Sequence, residues 1–209
     1  VAYTLYLGMK TAVIVLVYLI GLLGIASFPD WFVPLSVYSL IFTMLWMSWG
    51  EWRKGDYLLV GCIALLGWTV EYVGVHYHVP FGIYNYGSGL GYSIKEIPLV
   101  IGFNWVIVTI GSWSVAQWAF PHWRSNAQIV LSATLMTALD IIIEPVAPHL
   151  DYWMFQMNWP PLENYLSWFW IGLFFSWMLS KWSMKLNTHL AVVVWFCQLF
   201  FFSILQFVF

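Results

Sequence analysis

Long apolar runs, each closed by a short polar or proline-bearing break, dominate the chain. Runs of about 18 or more apolar residues read as membrane-spanning helices. Seven can be drawn, at Leu7–Ser27, Trp31–Trp49, Tyr57–His76, Ile97–Phe120, Asn126–Val146, Leu162–Lys181 and Thr188–Phe209. Pro29 and Asp30 part the first two, "GEWRKGDY" the next pair, "PHWRSN" the fourth from the fifth, and "KWSMKLN" the last two. The ten-residue alternation of a transmembrane β-barrel does not occur. The pattern predicts an all-α integral membrane bundle of seven helices, a single domain over residues 1–209, with no internal repeat.

Composition agrees. Of 209 residues, 62% are hydrophobic and only 8% charged, against roughly a quarter charged in soluble domains. Lys10, Arg53, Lys54, Arg124, Lys181 and Lys185 fall on one side of the seven spans and only Lys95 on the other. The positive-inside rule then sets the N-terminus in the cytoplasm and the C-terminus outside. Loop acids Asp30, Glu96, Asp151 and Glu163 sit on the outer side. Sixteen Trp and 12 Tyr supply interfacial belts. Localisation is expected in a bacterial inner membrane, as a multi-pass protein. Lys10 before an apolar run resembles a secretory signal, but the run is long enough to span. Cys62 and Cys197 lie in apolar segments without metal or CxxC spacing and read as small hydrophobes.

Three carboxyls remain inside spans: Glu71, Asp140 and Glu144. A charge at the bilayer centre costs about 2.5–3.5 kcal/mol even on lenient scales, so such residues are candidates for function. Helical rise sets Glu71, Asp140, Glu144 and Asn104 all in the outer half, at similar depth. Thr137, Asp140 and Glu144 share one helix face. Pro145 has no N–H, so a helix continued through it would leave the Ile141 carbonyl unpaired and a polar notch beside Asp140. One acid alone is as readily structural glue between helices. Several converging polar groups argue for a site, because burying them together is costly unless they satisfy one another. Low dielectric favours the protonated form of crowded carboxyls, and a protonated carboxyl in an apolar pocket is a general acid.

The stretch "HYHVPFGIYNYGSGLGYSIKEIP", His76 to Pro98, is long for a connection within a bundle. "FGIYNY" with the glycines after it predicts a short hairpin or a flap over the outer end. Gly87, Gly89 and Gly91 lack the strand before and the Lys–Ser/Thr after that a phosphate loop needs. His76 and His78, beside tyrosines, read as interfacial residues, with metal binding the minority reading.

Four blocks, "VPFGIYNYGSGLG", "EIPLVIGFNW", "ALDIIIEPVAPHLDYWMF" and "WPPLENYLSWF", occur in an order that resembles the membrane carotenoid 1,2-hydratases, which include the bisanhydrobacterioruberin hydratases. The resemblance covers roughly Gly67 to Gly172. Glu144 stands where many members have Asp, and "GFNW", with Asn104, stands where a small apolar pair is expected before the Trp.

The resemblance implies addition of water across the terminal C1–C2 double bond of an acyclic ψ-end carotenoid, lycopene-like or γ-carotene-like, to give a tertiary 1-hydroxy end. The residues fit such chemistry. Asp140, the deeper acid, is the expected proton donor and Glu144 its partner at the rim. Glu71 or Asn104 would orient the water and take its proton. Trp68, Tyr72, Trp105 and Trp153 would face the cation, with Tyr84, Tyr86, Thr137 and Asn164 completing the substrate contacts. No metal, nucleotide or redox cofactor is required. Carotenoid and membrane lipid are the expected partners, nucleic acid is not, and the oligomeric state is left open. The alternatives are a carotenoid cyclase or isomerase on the same scaffold, and a proton-coupled isoprenoid binding or transport protein. A retinal receptor is excluded, since no Lys lies deep in any span.

Overall fold

A computed structural model describes residues 2–50, 52–182, 184 and 186–209. Lys185, one of the basic residues used for orientation, lies outside them, as do Val1, Glu51 and Ser183 of the opening residue and the two breaks. The described chain is mostly helical, in eight α-helices: α1 (Ala2–Ser27), α2 (Pro29–Phe32), α3 (Ser36–Ser48), α4 (Lys54–Tyr77), α5 (Ile101–Ala119), α6 (Ser125–Ile143), α7 (Leu162–Lys181) and α8 (Thr188–Leu205).

Among the described residues, five stretches are long and apolar enough to cross a membrane: Tyr6–Ser27, Pro29–Ser48, Lys54–Tyr77, Ser125–Ile143 and Thr188–Leu205. The protein is thus a multi-pass helical membrane protein. α5 and α7 match them in length but carry Asn104, Gln117, Glu163, Asn164 and several Trp. In α5 the reason is visible in the packing. Every residue from Trp105 to Ala116 is buried, so this helix faces protein all round and need not read as lipid-facing. Ser112 accepts the Trp195 indole N–H at 3.0 Å, and Ser132 and Ser176 bond at 2.8 Å between α6 and α7. Small polar residues of this kind let membrane helices approach and bond.

The expected boundaries shift where proline intervenes. The span expected at Trp31–Trp49 begins at Pro29 and is broken by a 3-10 turn, Val33–Leu35, around Pro34, because proline cannot supply the helical N–H. The span expected from Ile97 begins at Ile101. Ile97–Pro98 (β3) instead pairs with Ser93–Ile94 (β2) in a tight hairpin. The span expected to reach Val146 stops at Ile143, one residue before Glu144 and two before Pro145. There the Val146 N–H bonds the Ile143 carbonyl at 2.9 Å, and Gln206 Nε2 donates to the Ile142 carbonyl at 2.7 Å. The residue that caps the end of α8 therefore satisfies a carbonyl that the broken helix leaves over.

The expected local hairpin at "FGIYNY" is replaced by a distant pairing. Tyr84–Tyr86 (β1) runs antiparallel to Trp153–Phe155 (β4), with Tyr84 opposite Phe155 and Tyr86 opposite Trp153. Gly87 and Gly89 extend the seam, donating to the carbonyls of Tyr152 at 2.9 Å and Asp151 at 2.8 Å. Asp151 locks it from the side, its carboxylate accepting from the Ser88 N–H at 2.7 Å and the Ser88 hydroxyl at 2.6 Å. These bonds hold the Asp151 carboxyl below its ordinary range. The two long loops are thereby tied into one roof over the ends of α4–α7.

Candidate functional site

Glu71 is seated by two glycines on its own helix. Gly67 lies one turn before it and Gly74 three residues after. A Cβ on Gly67 would stand 2.5 Å from the Trp105 ring, and one on Gly74 would stand 2.5 Å from the Tyr84 hydroxyl. Their absence admits both donors. Trp105 Nε1 donates to Glu71 Oε1 at 2.9 Å, and the Tyr84 hydroxyl donates to Oε2 at 2.6 Å. Burial, and next the Glu71 carboxyl itself, push the Tyr84 hydroxyl well above the ordinary phenol range, so it remains a donor. Trp105 is held in turn by a stacked Trp168, 4.1 Å between ring centres.

The other two acids meet at Asn164, near the start of α7. Asn164 Nδ2 donates to Asp140 Oδ2 at 2.9 Å and reaches Glu144 Oε1 at 3.4 Å. The second Glu144 oxygen accepts from Trp153 Nε1 at 3.1 Å. All three acids and Asn164 are at most 7% exposed, and each has a named partner. Strand alternation explains how the loops contribute. Tyr84 and Tyr86 share one face of β1, and the residues opposite them, Phe155 and Trp153, share the matching face of β4. Ring contacts of 5.2 Å (Tyr84–Phe155) and 6.3 Å (Tyr86–Trp153) close an aromatic ceiling.

Glu71, Asn104, Asp140, Glu144, Tyr84, Tyr86, Trp153 and Asn164, all predicted from sequence, line one cavity. Its volume is about 20 Å³, room for a water or two. Phe81, Ile101, Phe155 and Trp168 also line it and were not foreseen. Trp105 stands behind Glu71 as its donor and not on the cavity wall. Trp68, Tyr72 and Thr137 do not line the cavity either. Trp68 stacks on Tyr72 and Tyr72 on His76, along α4. The Thr137 hydroxyl bonds the Ala133 carbonyl of its own helix at 3.0 Å.

Beside this cavity lies a second, apolar chamber of about 360 Å³. It runs between α1, α3, α5 and α8, with Val17, Ile25, Leu40, Ile143, Phe201 and Phe202 among its walls. Asn104, Ile101 and Trp153 line both spaces. Ile20, Leu35 and Tyr38, on the chamber wall, are exposed at the outer surface of the bundle. The chamber is therefore open toward the side of the bundle, and it meets the acidic cavity at Ile101, Asn104 and Trp153.

The sequence pattern of a carotenoid biosynthesis protein matches residues 29–209. The chain belongs to that family. The match takes in α2 to α8 and thus both the acidic cavity and the chamber. Among curated proteins, the bisanhydrobacterioruberin hydratase of Haloarcula japonica is 23% identical over 122 residues, covering 56% of this chain and 41% of that protein. The chain thus aligns with less than half the length of this relative. No solved structure matches.

Proposed function

We propose that this family member hydrates the terminal C1–C2 double bond of an acyclic carotenoid. The observation that carries the reading is the junction of the two spaces: an apolar chamber that ends on a cavity walled by three carboxyls and an aromatic ceiling. The name of the Haloarcula relative supports it. The polyene would enter from lipid between α1 and α3 and set its ψ-end at Asn104, where the chamber meets the acidic cavity.

Asp140 would give its proton to C2, whose new C–H bond takes the π electrons and leaves a tertiary cation at C1. Phe81, Tyr84, Trp153 and Trp168 would turn their rings to that cation. A water adds its lone pair to C1, and Glu144 takes the proton released. Transfer of that proton from Glu144 to Asp140, which share Asn164, restores the start. Glu71 accepts at both oxygens, so it acts as a fixed acceptor beside the cation and leaves the proton traffic to the α6 pair. Chemistry of this kind asks for a positioned acid and a dry, cation-tolerant pocket.

In the membrane we propose seven crossings, with α5 and α7 as the two more polar ones. The N-terminus would be cytoplasmic in a bacterial inner membrane, and the roof would be outside. Lys10, Arg53, Arg124 and Lys181 then share the inner side.

Expression in a lycopene-producing bacterial host, with chromatography and mass spectrometry of the pigments, tests the activity. A more polar pigment heavier by one water is expected. An isomeric product of unchanged mass would instead mean that the cation loses a proton, the outcome of a cyclase or isomerase.

A further inference from the structure

Each turnover of a hydratase consumes a water, and the acidic cavity holds a water or two at most. It must be refilled. The chamber is a poor route, because its walls offer few partners to a water in transit. A third space lies on the opposite side of Glu144. It is a vestibule of about 500 Å³, lined by Glu144, His149, Asn158 and Gln206 together with Met154 and Phe155. It exists because α6 ends before Pro145 and the chain turns away through Ala147–Leu150, which opens the end of the helix. Gln206 is anchored there by its bond to the Ile142 carbonyl, and His149 is stacked on Phe209 at 5.1 Å.

Glu144 and Phe155 line both the vestibule and the acidic cavity. Neither lines the apolar chamber. We infer that the vestibule is the water entrance of the site and that Glu144 with Phe155 forms the gate. The proposal rests on the hydratase reading. The carotenoid then comes from lipid on one side and its co-substrate from the polar side, and the two meet between Asn104 and Glu144. A separate water entrance lets the chamber stay dry while the cavity is rewetted once per turnover. It also puts the base that takes the water's proton at the point where the water enters.

A thiol block after folding tests this. Met154 lines the vestibule and is exposed at its mouth. The Met154→Cys variant, purified in detergent, is compared before and after a charged methanethiosulfonate reagent, with lycopene as substrate. The parent chain treated alike corrects for Cys62 and Cys197. Labelling is expected to slow hydration about tenfold or more, while the absorption shift of bound lycopene keeps the same half-saturation. A labelled protein that hydrates at the unlabelled rate overturns the proposal. So does one that loses lycopene binding, since the vestibule would then be the carotenoid path. If the unlabelled protein binds lycopene and hydrates none, the hydratase reading itself fails and the entrance falls with it.

Discussion

The acidic cavity and the apolar chamber share Ile101, Asn104 and Trp153 yet are built on opposite plans. In the cavity, Glu71, Asp140, Glu144 and Asn164 are tied by bonds of 2.6–3.4 Å, and the free volume is about 20 Å³. In the chamber the walls are mainly aliphatic and aromatic, and the volume is about 360 Å³. A hydrogen-bonded polar network fixes geometry, whereas a loose apolar space fixes only what class of molecule fits. Under the proposed function, chemistry belongs to one and positioning to the other. Changes in the cavity should act on kcat and changes in the chamber on KM.

The sharpest break of that contrast is Asp140→Asn, which keeps the shape and the Asn164 neighbour but removes the acid. Hydration should fall about 10³-fold, the scale of a general acid, while lycopene binding, followed by its absorption shift, is retained. Next is Glu71→Gln. It puts an amide where Tyr84 and Trp105 donate, so one donor loses its acceptor. A loss of about a hundredfold in kcat is expected from the missing charge beside the cation, with KM little moved; equal losses in both would mean that Glu71 only shapes the pocket. In the chamber, Ser39→Trp fills space along α3 and should raise KM about tenfold with kcat held. A drop in kcat instead would erase the proposed division.

The smallest effect concerns the roof. The Asp151 carboxyl lies below its ordinary range because Ser88 bonds its charged form. Its contribution is therefore complete above the ordinary carboxyl pKa of about 4 and fades as pH falls through the lower, folded value. Exposure reduces it to about 1 kcal/mol. Thermal unfolding from pH 7 downward should show the parent losing its advantage over Asp151→Asn only in that acid window. A constant difference across the range would mean that Asp151 acts through shape alone.

The same contrast explains what could be read from the chain. Glu71, Asp140 and Glu144 stood out because an acid in a lipid-length helix is costly, and their common depth followed from helical rise alone. Pro145 was legible as a disturbance, but the span was drawn through it to Val146, whereas the helix stops at Ile143. Trp105 was recognised, but its role shifted from substrate face to donor, since only packing shows that Gly67 lets its ring reach Glu71. Phe81, Phe155 and Trp168 gave no signal in a chain with 16 Trp and 16 Phe. The pairing of Tyr84–Tyr86 with Trp153–Phe155 was hidden because turn residues suggest local hairpins, while its partners lie in separate loops. The chamber was also invisible, as it is assembled from ordinary Val, Leu, Ile and Phe on four helices. The family pattern over residues 29–209 now ties the α2–α3 and α8 walls to the same protein family as the acids.

In the proposed reaction, water adds to a carotenoid end at the Asp140–Glu144 pair. The most direct measurement supplies purified protein with lycopene in heavy-oxygen water, beside Asp140→Asn, and reads the product mass. A hydroxylated product that carries the heavy oxygen is expected, and its disappearance in the variant. A product without the label, or full activity in Asp140→Asn, would contradict it.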